Sequence, residues 1–253
     1  MSTLAGEFAG TLILVFVGCC ACANASLSRT IGGGMGWGAL VAAWGAAVAA
    51  GMVASMSRGS HLNPAVSLAL WSVGRIDGAQ LGAAVAGQFL GAAAGAVLAW
   101  LSFLPSWSRT DDHAAVRAAF VPAPAVRAPL STFLAEAAGS AVFALVMLRL
   151  LAGRTVEPAA AGDLNPTIAT PLAAVDPLSA ALVAGATFAA VMLGVGGAGA
   201  ALHPARAVGG RLAHALLPVP GRGVGSFAGL GAAVIGPCVG ALVAAAAWRA
   251  LVG

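Results

Sequence analysis

His61-Leu62-Asn63-Pro64-Ala65-Val66 has a near copy 140 residues later, Leu202-His203-Pro204-Ala205-Arg206-Ala207-Val208. Both stretches lie in apolar sequence and place Pro where a helix can begin, because its missing N–H would be unpaired at a first helical position. The predicted helices, Pro64 to Val73 and Pro204 to Leu217, end near Gly74 and Pro218. Ten residues rise by ~15 Å, half of a ~30 Å hydrocarbon core. We therefore predict two half-helices whose N-termini meet inside a membrane.

The composition indicates a membrane protein. Only 8% of the 253 residues are charged and 60% are hydrophobic, whereas soluble domains are roughly a quarter charged. The first apolar run contains Glu7 and no basic residue, so it is predicted to be a retained span and not a signal peptide. The predicted fold class is an all-α membrane protein with six transmembrane helices and two re-entrant half-helices. The six runs of about 20 residues lie near 3–24, 36–57, 79–104, 130–152, 177–197 and 224–250.

Charge and cysteine spacing exclude several other classes. All 12 basic residues are Arg, and the net charge of +4 is scattered, so no run predicts nucleic-acid binding and orientation is not settled. The four cysteines lack disulfide or zinc spacing and are predicted to pack in the core. The chain also lacks a recognisable Ser–His–Asp set or paired catalytic acids. We predict no metal, no cofactor and no enzymatic activity.

Landmarks recur in the same order along the chain. Glu7-Phe8-Ala9-Gly10-Thr11 matches Glu136-Ala137-Ala138-Gly139-Ser140, and Gly87 and Gly91 match Gly236 and Gly240. The pattern predicts one transmembrane channel domain over 1–253, built from repeats 1–104 and 130–253 joined by a solvated loop, 105–129. Three spans per repeat is an odd number, so the second repeat must be inverted. A third motif-like stretch, Asn165-Pro166-Thr167, lies among polar and Pro residues and is predicted to be a turn.

Three charged residues within membrane depth need an explanation. Arg206 lies in the first turn of a helix, where both the helix dipole and the membrane disfavour a cation. We expect it to line a pore; the alternative is an Arg that snorkels to the interface. Glu7 and Glu136 are predicted to accept hydrogen bonds from the backbone of the re-entrant loops, with His61 beside them. The alternative for these acids is a proton relay.

Together these motifs resemble the major intrinsic protein family, which contains aquaporins and glycerol facilitators. The resemblance rests on Glu7 to Thr11, 61–66, Glu136 and Pro204-Ala205-Arg206. It implies a passive channel for water and small neutral solutes such as glycerol, which excludes ions and protons through an Arg and the half-helix dipoles. It also implies a homotetramer in the cell membrane, with one pore per subunit. The resemblance implies six residues in the pore motifs, namely Asn63, Pro64, Ala65, His203, Pro204 and Ala205.

The resemblance further implies a selectivity filter of four residues, namely Trp44, Val191, Ala200 and Arg206. A shift of one or two residues would replace Val191 by Met192 or Leu193. The His of water-selective members is missing, and an apolar wall facing an Arg suits a polyol. The set is similar to that of plant nodulin-type members, which pass glycerol and small uncharged metalloid acids. An ion-coupled secondary transporter with Glu7 or Glu136 as the coupling site is the alternative function.

His203 departs from the Asn that the family has at this position. A neutral imidazole can cap its half-helix with one nitrogen and donate a hydrogen bond into the pore with the other. We expect it to be neutral at pH 7 and the second motif to be functional. Protonation would remove the cap, which makes His203 either an acid-sensitive switch or a plain replacement that preserves a donor.

Overall fold

A computed structural model of the chain describes residues 2–55, 60–152 and 175–252. These residues form ten α-helices and no strands, so the predicted all-α fold class is confirmed. In chain order the helices are α1 Thr3–Ser26, α2 Trp37–Ser55, α3 Pro64–Ser72, α4 Gly78–Ser102, α5 Leu104–Trp107, α6 His113–Ala118, α7 Pro129–Ala152, α8 Pro177–Val195, α9 Pro204–Leu216 and α10 Leu230–Val252.

Six of these helices are long and apolar enough to cross a membrane: α1, α2, α4, α7, α8 and α10. The mean hydropathy of their apolar windows is 1.7 to 2.1, as the six predicted runs require. The last span begins at Leu230 instead of residue 224. Gly225 and Gly229 adopt positive φ angles of 67° and 71°, which a right-handed helix cannot contain. The predicted turn at Asn165-Pro166-Thr167 lies outside the described residues.

The two half-helices, α3 and α9, begin at the prolines of the two motifs. Helix α3 ends in a glycine cap, because Gly74 has a φ of 74° and its N–H donates to the Trp71 carbonyl, while the Arg75 N–H donates to the Leu70 carbonyl. Arg249 of α10 donates to the Ser72 carbonyl at the same helix end, where a cation is favoured by the dipole.

Glycines allow the spanning helices to pack closely within each repeat. An ideal Cβ on Gly91 of α4 would lie 2.4 Å from the Phe8 carbonyl oxygen of α1, and one on Gly240 of α10 would lie 2.0 Å from the Ala137 carbonyl oxygen of α7. Real Cβ atoms do not approach this closely, so larger residues would force the pairs apart. The α1–α4 and α7–α10 pairs thus use matching positions; the exact division at 1–104 and 130–253 stays a prediction.

The connection 105–129, expected to be solvated, is packed against the bundle over part of its length. It contains most of α5 and all of α6, and its Trp107 and Phe120 side chains are buried and stacked, with ring centroids 5.2 Å apart. A Cβ on Gly210 of α9 would lie 2.1 Å from the Phe120 carbonyl oxygen. The missing side chain at Gly210 therefore lets this loop pack directly on the second half-helix.

Candidate pore and its narrowest point

The two repeated motifs meet in the interior of the bundle. Asn63 caps α3, because its Oδ1 accepts from the Ala65 N–H at 2.9 Å, and its Nδ2 donates across to the Leu202 carbonyl at 2.8 Å. His203 caps α9 through Nδ1, which accepts from the Arg206 N–H at 3.2 Å. Asn63 and His203 are both at most 2% exposed. Both half-helices therefore direct their N-termini toward one buried region.

The imidazole of His203 must carry its proton on Nε2, because Nδ1 is the acceptor of the α9 cap. Nε2 is buried and has no hydrogen-bond partner among the described residues. The same side chain lines a cavity of about 10 Å³ together with Asn63. A neutral His203 thus caps its helix and leaves one N–H donor for a small polar molecule, the two functions that we expect at this position.

Each re-entrant loop is bound by a buried glutamate. Glu7 accepts from the backbone N–H groups of His61 at 2.9 Å and Leu62 at 2.7 Å. Glu136 accepts from those of Ala201 and Leu202, both at 2.7 Å. These are the contacts that loop bracing requires, and they occupy both oxygens of each carboxylate.

The two leucines before the motifs share an unusual conformation. Leu62 and Leu202 both have a φ of 52°, a left-handed conformation that is unfavourable for a branched side chain and costs ~1–3 kcal/mol. The N–H of each is bound by a glutamate oxygen. The carboxylates therefore stabilise a strained turn that presents the Leu202 carbonyl to Asn63.

The contacts of His61 and Gln88 extend the first cluster. His61 Nδ1 lies 3.2 Å from the Ser67 hydroxyl and 3.6 Å from Glu7. Gln88 of α4 donates to Glu7 at 2.7 Å and to Ser67 at 2.9 Å. Gln88 was not among the residues predicted from the sequence. It lies next to Gly87, and the match of Gly87 to Gly236 was the sequence signal that this part of α4 faces the rest of the repeat.

Arg206 is buried and its position is fixed by the loop that precedes it. Its Nη1 donates to the Ala200 carbonyl at 2.8 Å and to the Ala201 carbonyl at 3.1 Å. Its Cζ lies 3.7 Å from the centroid of the Trp44 ring, a cation–π contact. Arg206 is 4% exposed and does not snorkel. The structure thus brings together three of the four predicted filter residues, Trp44, Ala200 and Arg206.

The contact between Trp44 and Arg206 lies between two cavities. A cavity of about 210 Å³ is lined by Arg206, Ala200 and Met192 on one side of it. The cavity of about 10 Å³ is lined by Asn63 and His203 on the other. Helix α9 leads from Arg206 in the first cavity to its cap, His203, in the second. The cation–π contact therefore lies at the level where one cavity gives way to the other.

Val191, the fourth predicted filter residue, lies elsewhere. An ideal Cβ on Gly139 of α7 would lie 3.0 Å from Val191 Cγ1, so this side chain faces α7. Met192 lines the larger cavity beside Ala200 and Arg206. Consecutive helical residues point about 100° apart, so a register difference of one residue exchanges a pore-facing side chain for a helix-facing one.

The loop 105–129 also contributes to the larger cavity, through Arg117 and Val121 among others. Neither residue was predicted from the sequence to line a site. Val116, Ala119 and Phe120 are buried and recur with the i, i+3, i+4 spacing of one helical face, which was the signal for a packed segment. Arg117 adds a second guanidinium group to the cavity that contains Arg206.

Arg211 and His214 lie later in α9 and are both 1% exposed. Arg211 donates to the Ala207 carbonyl at 2.9 Å and the Ala228 carbonyl at 3.2 Å. His214 Nδ1 lies 2.7 Å from the Ser226 hydroxyl. These contacts fasten the half-helix to the segment that follows it and lie outside the lining of both cavities.

Comparison with known proteins agrees with this geometry. The family model described as "Major intrinsic protein" matches residues 1–248. The chain is 34% identical over 243 residues to the glycerol uptake facilitator protein of Bacillus subtilis, covering 95% of this chain and 81% of that protein. It is 33% identical over 251 residues to the probable glycerol uptake facilitator protein of Thermotoga maritima, covering 98% and 99%. The X-ray structure of the aquaglyceroporin from Plasmodium falciparum has the same fold, with a TM-score of 0.79 at 23% identity, covering 97% of this chain and 93% of that chain.

Proposed function

The chain belongs to the major intrinsic protein family, and from this membership and the geometry of its pore we propose a passive channel for water and glycerol in the cell membrane. Six apolar helices make it an integral, multi-pass membrane protein. The relatives are named for glycerol uptake and are transport proteins, not enzymes. The proposed solutes move down their own gradients, without a coupling ion.

The observation that carries this proposal is the contact of Arg206 with Trp44 at the level between the two cavities. The guanidinium offers N–H donors to hydroxyl groups, whereas Leu40 and Met192 offer apolar surface to a carbon chain in the same cavity. Trp44 lines neither cavity and supports the guanidinium from behind through the cation–π contact. Ala200 adds little volume beside them. We therefore propose that Trp44, Met192, Ala200 and Arg206 form the selectivity filter, with Met192 in place of Val191.

Ion exclusion is part of the proposal. Two half-helix N-termini carry partial positive charge toward the motif region, and Arg206 adds a full charge in the lining of the larger cavity. The larger cavity is lined by Arg117 and Arg206 and by no acidic residue within the described part of the chain. A cation would lose its hydration at a site of positive potential, while a neutral polyol would not meet this barrier.

Two finer assignments follow from the same basis. We propose that small uncharged metalloid acids also pass, because they are neutral hydroxyl donors and acceptors that match the filter. We propose the homotetramer usual in the family, to be measured by light scattering of the purified protein in detergent. An ion-coupled transporter gains no support from the contacts, because both oxygens of Glu7 and of Glu136 already accept backbone hydrogen bonds.

The test is stopped-flow light scattering of proteoliposomes with gradients of water, glycerol, urea and boric acid. We expect glycerol flux clearly above that of protein-free liposomes of the same lipid. If water flux is above background and glycerol flux is not, the proposal that the filter passes polyols is refuted. Accumulation of glycerol against its gradient, driven by a proton or sodium gradient, would refute a passive channel.

A further inference from the structure

Helix α1 passes directly behind the filter at Gly18. An ideal Cβ on this glycine would lie 2.2, 2.3 and 2.5 Å from Cζ3, Cη2 and Cε3 of Trp44, distances that real Cβ atoms do not show. All three atoms belong to the six-membered ring of the indole. Trp44 can therefore occupy its observed position only because residue 18 has no side chain.

The position of Gly18 along the pore follows from its neighbours on the same helix face. Residues four apart on a helix share a face. Leu14 lines the smaller cavity, Cys22 lines the larger cavity, and Gly18 lies midway between them. This face of α1 therefore borders the pore, and Gly18 lies at the level of the contact between Trp44 and Arg206.

Helix α2 independently places Trp44 at this depth in the pore. On α2, Leu40 lines the larger cavity and Val48 lines the smaller one. Trp44 lies four residues from each, so it is at the same depth as Gly18. On α8, Phe188 and Met192 show the same change from the smaller to the larger cavity.

Trp44 has no free space into which it could move. Its side chain is 0% exposed, and Arg206 lies over its ring. Trp37 provides a contrast. A Cβ on Gly196 would lie 2.1 Å from Trp37 Cζ2, but Trp37 is 42% exposed at the mouth of the larger cavity and can turn away. A side chain at residue 18 would instead push the indole against Arg206, which lines the larger cavity.

We infer that Gly18 is a specificity-determining position of the filter. The missing side chain on α1 sets the position of the Trp44 ring. The ring supports the Arg206 guanidinium, and the guanidinium lines the cavity through which a solute passes. This inference rests on the proposed function. It adds a wall to the filter, on α1, that the four side chains Trp44, Met192, Ala200 and Arg206 do not include.

The first test compares Gly18→Ala with Gly82→Ala in proteoliposomes, with water and glycerol fluxes normalised to folded protein. Gly82 lies within α4, and its Cβ would have no neighbour within 4 Å, so it controls for a glycine-to-alanine change in a spanning helix. One extra methyl group in a tightly packed site changes the discrimination between two solutes by ~10-fold or more. We expect Gly18→Ala to lower the ratio of glycerol to water flux about tenfold, and Gly82→Ala to leave it unchanged. An unchanged ratio in folded Gly18→Ala would overturn the inference.

A second comparison holds even if Gly18→Ala alone fails to fold. Trp44→Phe removes much of the ring that meets residue 18, so the smaller phenyl ring can settle back toward Gly18 and draw the wall of the passage with it. A methyl group added at residue 18 then fills that space without a clash and holds the phenyl ring forward. We expect Trp44→Phe to raise the ratio of glycerol to water flux, and the added Gly18→Ala to bring it back toward the parent value. Equal ratios in the double variant and in Trp44→Phe would contradict a filter role for Gly18.

The parent protein separates the two possible failures. Parent glycerol flux at background refutes the proposed function and leaves the Gly18 inference to be decided by water alone. In that case Gly18→Ala should still conduct less water than Gly82→Ala, because the displaced indole and guanidinium narrow the passage. Equal water fluxes would then overturn the inference about Gly18 as well.

Discussion

Replacing Glu136 by Gln measures how much one carboxylate stabilises the second re-entrant loop. Glu136 accepts from the Ala201 and Leu202 N–H groups, and an amide has only one oxygen for these two donors. The change removes one hydrogen bond to a charged acceptor, which contributes ~1.5–3 kcal/mol, and leaves one buried N–H unpaired, at a cost of ~1–3 kcal/mol. We expect the free energy of unfolding to fall by about 3–5 kcal/mol.

The same change at Glu7 should be milder. Gln88 donates to Glu7, and its Oε1 is buried without a hydrogen-bond partner among the described residues. After Glu7→Gln, Gln88 can rotate its amide and accept from the new NH2 group. The residue that matches Gln88 in the second repeat, at the spacing of Gly87 and Gly236, is Pro237, which offers no such partner. One recovered hydrogen bond makes Glu7→Gln about 1 kcal/mol less destabilising than Glu136→Gln.

The measurement is chemical or thermal unfolding of both variants in the same detergent, with Asp111→Asn as a control at an exposed carboxylate. Glycerol flux per folded channel should also fall in Glu136→Gln, because Ala201 links the Glu136 carboxylate to the Arg206 guanidinium. Adding Gln88→Leu to Glu7→Gln should remove the difference between the two sites. A Glu7→Gln variant that is as unstable as Glu136→Gln would refute the reasoning.

Three further outcomes are expected. Arg206→Val should keep the fold and admit protons or small cations, since the filter loses its fixed charge; proton flux in pH-gradient liposomes equal to that of the parent would show that the half-helix dipoles suffice. Acid that protonates His203 removes the acceptor of the α9 cap, so glycerol flux should fall in acid in the parent and stay constant in His203→Asn; equal acid sensitivity in both would exclude the switch. Cys22 lines the larger cavity, so a membrane-impermeant methanethiosulfonate reagent should block the parent and leave Cys22→Ala conducting; block of both proteins would place the reactive thiol elsewhere.

The parts of the fold that could be predicted from the sequence are those with a local physical cause. Six runs of apolar residues correspond to the six spanning helices because the hydrocarbon core requires about 20 such residues per helix. The half-helices begin at Pro64 and Pro204 because proline and the capping side chain before it act within one helical turn. The paired glutamates and Arg206 could be singled out because a charge within membrane depth is costly in any fold.

The parts that could not be predicted depend on how helices are rotated and packed against one another. Val191 and Met192 differ by one helical position, and only the packing of α8 on α7 decides which of them faces the cavity. The burial of Phe120 depends on a glycine 90 residues later in the chain, Gly210. Hydropathy and turn signals describe 105–129 as a loop and contain no information about that contact.

The sequence by itself therefore determined the number of spans, the two half-helix starts and the charged residues near the pore, because each follows from the free energy of a short segment in lipid. Only the tertiary structure decided the shape of the filter. The left-handed leucines before the motifs are unfavourable locally and persist because distant carboxylates bind their N–H groups. The position of the Trp44 ring likewise depends on Gly18 of another helix, since close packing leaves no other space for the indole.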